Sequence, residues 1–143
     1  MECALDLKLA KDNLIKSSLT LVIVKKGKTI FKSDSSSIVG LIKAIDIFKN
    51  ELNESSIADR VVGKAVALLC AYSKAANVYA ITISDGALKS LKKAGICVEF
   101  ENKVPKILNK ARSGICPFEK LLFEINDPEL AYEKLSVFVK NHY

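Results

Sequence analysis

The sequence holds one histidine and four cysteines, and neither residue type stands where metal or disulfide chemistry would need it. Cys3, Cys70, Cys97 and Cys116 lie far apart and form no Cys-x-x-Cys pair, which argues against a zinc knuckle or a disulfide framework and leaves reduced thiols as the expectation. His142 is the penultimate residue, where a frayed helix end is the ordinary expectation. No apolar run approaches the roughly 18 residues of a membrane span. The longest are 19–24 and 65–72. Glu2 and Asp6 occupy the place where a secretory leader would carry a basic patch, so the chain reads as unprocessed and cytoplasmic. Aromatic residues make up only 7% and are not interleaved with the lysines, which are spread along the whole chain. A net charge of +6 therefore reads as a solvated lysine surface, and nucleic acid is not an expected partner.

What the chain has in quantity is core. Half of its 143 residues are hydrophobic, enough for a single domain without staples or metal. Leu5, Leu9 and Ile15, separated by lysines, predict an amphipathic helix over about 3–16. The run 19–24, the turn Lys25-Lys26-Gly27-Lys28 and the segment Thr29-Ile30-Phe31 predict a hairpin. Ser33-Asp34-Ser35-Ser36-Ser37 then offers N-caps to a helix whose apolar face is Ile38, Leu41, Ile42, Ile45 and Phe48, followed by a polar connection over 50–56.

From there the pattern alternates. Asp59 is placed to cap a central helix that carries Val61, Val62, Ala65, Val66, Leu68, Leu69, Cys70 and Tyr72. Residues 78–83 predict a strand. From Asp85 a helix runs to Gly95, which suits the left-handed position after a helix. Residues 96–100 predict a strand, 104–111 a short helix opened by Pro105, and 121–125 a last strand. Asp127-Pro128-Glu129 signals the start of a closing helix that buries Ala131, Leu135 and Phe138. The sum is an α/β domain with a five-stranded mixed sheet covered by helices on both faces.

Three segments carry a family resemblance: Asp59-Arg60-Val61-Val62-Gly63-Lys64-Ala65, then Val78-Tyr79-Ala80 leading to Ser84, and Val104-Pro105-Lys106-Ile107 followed by Cys116-Pro117-Phe118-Glu119. Together they resemble the domain of unknown function 1893 family, found in bacteria and archaea, from about the hairpin to the last predicted strand. The resemblance implies a cytidine-deaminase-like, three-layer α-β-α fold and leaves the chemistry open. A zinc deaminase opens one helix with His-x-Glu and the next with Pro-Cys-x-x-Cys. Here those places hold Asp59 to Ala65 and Ser84-Asp85-Gly86-Ala87, without imidazole or thiol, so no metal or other cofactor is expected.

Two helix beginnings converging at one sheet edge would still favour an anion. Arg60 and Lys64 in the first turns of the central helix would oppose its dipole unless something negative offsets them, although an Arg60 salt bridge with Asp59 or Glu54 explains the arginine equally well. Gly63 inside a helix costs roughly 1 kcal/mol, which points to close packing or to a ligand. The expected site is Asp59, Arg60, Gly63, Lys64, Ser84 and Asp85, an electropositive hollow for a small anionic or nucleotide-like metabolite. Cys116, Glu119 and Lys64 are the candidates for any chemistry there, while Cys70 and Cys97 read as core. Two other classes stay open: an interaction protein that associates, for instance as a homo-oligomer, through the sheet edge or the last helix, and a cysteine-dependent transfer enzyme using Cys116.

Overall fold

The computed structural model describes residues 2–109 and 111–143, the side chains of 2–4, Cys3 among them, excepted. The predicted first helix is α1 (Glu2–Lys16), and the hairpin is β1 (Leu21–Lys25) and β2 (Lys28–Ser33). Lys26 and Gly27, both at positive φ (51° and 77°), make the two-residue turn whose twist suits a hairpin. Asp6 of α1 holds that turn by accepting from the Gly27 backbone N–H at 2.9 Å. The next elements are α2 (Ser37–Phe48), a single 3-10 turn (Lys49–Leu52) in the predicted polar connection, β3 (Ser56–Val62) and α3 (Lys64–Tyr72). They are followed by β4 (Asn77–Ser84), α4 (Asp85–Lys93), β5 (Cys97–Val104), α5 (Pro117–Leu121) and α6 (Pro128–His142).

The sheet order is β2-β1-β3-β4-β5. β1 runs antiparallel to both neighbours, and β3, β4 and β5 are parallel. Alternation along β3 sorts its side chains between two cores. Ile57 packs with α2, α3, α4 and α6, and Ala58 packs beneath α1 with Leu7, Ala10, Leu14, Val22, Val24 and Tyr79. α1 therefore covers one face. α2, α3 and α4 cover the other, with α6 lying across α3 and α2.

The five-stranded mixed sheet is as predicted, but one of its members is not. The segment assigned to the start of the central helix is strand β3, and the helix begins only after Gly63. A buried parallel strand is an unbroken apolar run that periodicity cannot distinguish from a buried helix; the adjacent β-branched pair Val61-Val62 was the available signal. Conversely, 121–125 forms no strand. Its Leu122 and Phe123 carbonyls accept instead from the Lys64 ammonium, at 2.8 and 3.2 Å. The helix predicted over 104–111 is also absent: β5 extends through Val104, and Leu108 bridges Ile115 in a small loop built on Asn109. Lys110 lies outside the described residues. Among the described residues no helix is long and apolar enough to cross a membrane.

Candidate functional site

The C-terminal ends of β3 and β4 lie side by side, with Val62 paired to Ile83, so α3 and α4 both start at the same sheet edge. The two starts are finished differently. Ser84 caps α4 through its own hydroxyl, which accepts from the Ala87 N–H at 3.1 Å. The start of α3 has no such side chain, because its N-cap is Gly63. Glu119, 55 residues from Lys64 in sequence, supplies the acceptors: its two carboxylate oxygens take the N–H groups of Lys64 (2.8 Å) and Ala65 (2.9 Å). Gly63 makes room for it, since a Cβ there would lie 2.5 Å from Glu119 Oε1. The anion favoured at this helix start is thus one of the protein's own carboxylates.

Above this contact is a hollow of about 180 Å3, lined by apolar groups of Ile38, Val61, Ala65, Val66, Ile107 and Phe118. Ser36, Ser37, Gly63, Cys116 and Glu119 complete its wall. Behind Ser37 sits Asp59, fully buried. Its Oδ1 accepts from the Ser37 hydroxyl at 2.7 Å and from the Val61 N–H at 3.2 Å, while Oδ2 has no partner. Burial outweighs those hydrogen bonds and raises the carboxyl pKa to about 7. The neighbouring Cys70 thiol is also pushed up, first by burial and then by Asp59, and is inert core.

The residues singled out in the sequence therefore divide. Asp59, Gly63, Cys116 and Glu119 gather at or just behind the hollow. Arg60 does not: a strand's alternation sends it to the α1 face. Its guanidinium donates there to three carbonyls, Leu19 (2.5 Å), Leu14 (2.9 Å) and Ser17 (3.0 Å), and finishes the end of α1 instead of making the salt bridge considered with Asp59 or Glu54. Lys64 contributes its backbone N–H, but its ammonium is turned to the Leu122 and Phe123 carbonyls, and burial lowers its pKa against the pull of Glu119. Ser84 and Asp85 belong to the neighbouring helix start, where Asp85 lies 3.9 Å from the Lys103 ammonium. The hollow is consequently apolar and acidic at its base, not electropositive. Cys97, expected in the core, is exposed on the edge strand β5.

Sequence reasoning missed Ser36, Ser37, Ile107 and Phe118 as wall residues, and it gave Glu119 a catalytic candidacy without seeing its capping role. Among the described residues no three histidine, cysteine, aspartate or glutamate side chains come together as a metal site would require. Asp59 is buried behind Ser37, and Glu119 is engaged by two backbone N–H groups, so the residues present do not fit the zinc centre of a deaminase.

The chain belongs to the family described as a domain of unknown function, DUF1893, whose model matches residues 9–139. A crystal structure of a DUF1893 family protein from Thermotoga maritima superposes with a TM-score of 0.82 at 32% identity, covering 95% of this chain and 89% of that one. The apo dCMP deaminase of the cyanophage S-TIM5 gives a TM-score of 0.48 at 11% identity, over 71% of this chain and 96% of that one. No curated protein matches the sequence.

Proposed function

We propose that this protein binds a small nucleotide-like metabolite, without a metal ion, in the hollow over Gly63 and Glu119. The observation that carries the reading is the state of the Glu119 carboxylate. It lines the hollow, yet the helix start engages each oxygen only once. A carboxylate offers about four acceptor positions, so two are left for a ligand's N–H or O–H groups. Apolar walls on the other sides suit the faces of a ring. That combination favours a nucleobase or a similar cyclic amide at the base of the hollow. A phosphate or carboxylate on the same metabolite would have to stay outside, because Glu119 already holds the N–H groups that would bind it.

Cys116 borders the same space and supplies the readout. Alkylation by iodoacetamide, assigned to Cys116 and Cys97 by peptide mass, should slow at least tenfold at Cys116 alone when a fitting member of a nucleobase, nucleoside and nucleotide panel saturates the protein. Glu119→Gln should weaken that protection. If no member of the panel slows Cys116 or raises Tm, the reading is wrong.

A further inference from the structure

α2 opens on the serine run Ser35-Ser36-Ser37, yet its N-cap, Ser36, makes no side-chain bond to it. The Ser35 hydroxyl lies 2.9 Å from that of Ser33, and the Ser37 hydroxyl turns inward to donate to Asp59 Oδ1 at 2.7 Å. The N–H groups of the first turn of α2 are therefore left without a side-chain cap. This uncapped start borders the hollow, where Ser36, Ser37 and Ile38 form part of the wall.

Asp59 costs stability where it stands, because its Oδ2 is buried without a partner. Among the described residues its side-chain partner is Ser37. The Val61 N–H holds the carboxylate in place from the other side. Ser37 itself is half-buried, between that carboxylate and the hollow. A hydroxyl on a cavity wall, a carboxylate within hydrogen-bond reach behind it and free helix-start N–H groups beside it are the parts of a nucleophilic site.

We propose that Ser37 is a nucleophile with Asp59 as its base, and that it takes an acyl group from an activated donor whose leaving group departs as an anion. Ser37 Oγ attacks the carbonyl carbon, and its proton passes to the Asp59 carboxylate. The oxyanion that forms is met by the uncapped N–H groups of α2. As the carbonyl re-forms, the bond to the leaving group breaks with its electron pair. The products are an ester at Ser37, a protonated Asp59 and the departed anion. Asp59 is reached only through Ser37, so it has no proton to give the leaving group, and donors that need one, such as simple amides, are excluded. The apolar walls suit the acyl chain. This chemistry goes beyond the ligand reading above and does not depend on it: Ser37 reactivity and Cys116 protection are separate measurements.

p-Nitrophenyl acetate is the probe, since p-nitrophenolate leaves as an anion. Peptide fragmentation should place the acetyl group on Ser37 at a rate at least tenfold above that of its exposed neighbour Ser36. The ratio of the two rates should climb from pH 5 to about 7, as Asp59 ionises, and then level off. Asp59 titrates alone in that range: it faces Ser37 from α2, Leu21 from β1, Ala80 from β4 and, from α3, the Cys70 thiol that burial keeps neutral. Asp59→Asn, with unchanged circular dichroism, should slow Ser37 about a hundredfold and remove the pH dependence. Ser37 acetylated no faster than Ser36 overturns the inference. So does a folded Asp59→Asn chain that labels at the wild-type rate, and, should that variant not fold, a wild-type rate ratio that stays flat from pH 5 to pH 8.

Discussion

The exits of β3 and β4 are neighbours at one sheet edge, and both lead into a helix, but they are built on opposite plans. The β4 exit is local: Ser84 caps the helix that follows it, and Asp85 complements the dipole one residue later. The β3 exit is assembled from three parts of the chain. Glycine clears the space, a carboxylate from α5 enters it, and a second carboxylate, Asp59, is buried behind the serine that opens α2. A local cap serves only its own helix. A distant one also ties the α5 segment to the centre of the fold and leaves an acid facing a hollow.

The largest expected effect concerns Asp59, which gives the β3 exit a pH response. Its pKa is raised by burial from an unfolded value near 3.8 to about 7, so the folded state holds this proton more tightly than the unfolded one. The sign follows from linkage: this contribution to stability is full below pH 4, is lost as pH rises to about 7, and is flat beyond. Over that window the loss is on the order of 4 kcal/mol at ~1.4 kcal/mol per pKa unit. Urea unfolding of wild type and Asp59→Asn from pH 4 to pH 8 should show the variant gaining on wild type as pH rises. A constant difference between them would contradict the burial argument.

Glu119→Ala comes next. Loss of a charged acceptor from two helix-start N–H groups should cost about 2–3 kcal/mol, read from the urea midpoint at unchanged slope. Gly63→Ala should cost a similar amount, about 2 kcal/mol, because its backbone is extended (φ −94°) and the added methyl acts by displacing the Glu119 carboxylate. The decisive measurement is the double variant. With the carboxylate gone, alanine at 63 should add less than about 0.5 kcal/mol, a strong departure from additivity. Full additivity would mean that Gly63 serves something other than Glu119. Ser84→Ala is the smallest, about 1 kcal/mol, and should add normally to Glu119→Ala because the two helix starts share no partner.

The pattern of what could be read in advance follows the same division. Ser84, Gly95 and Asp127 were legible because a cap's partner lies within three or four residues. The hairpin was legible from its turn, and α2 and α6 from their apolar stripes. β3 was not, because Gly63 reads as an interior helix residue when the strand before it is as apolar as the helix behind it. The hollow was half legible: Cys116, Glu119 and Gly63 were singled out, but Arg60 was assigned to it by nearness in sequence to Asp59. In a strand, that nearness puts the two on opposite faces.

The sequence by itself determined the layered α/β class, the hairpin and every locally capped helix, because these depend on periodicity and on hydrogen bonds that close within one turn; the count of five strands agreed only because the missed β3 was balanced by a strand expected over 121–125. Only the tertiary structure decided which segment was the central strand, where Arg60 and Lys64 spend their charge, and that Glu119 occupies the start of α3. Those outcomes depend on contacts between residues some 40 to 60 positions apart, which the packing of the sheet against its helices brings within hydrogen-bonding distance.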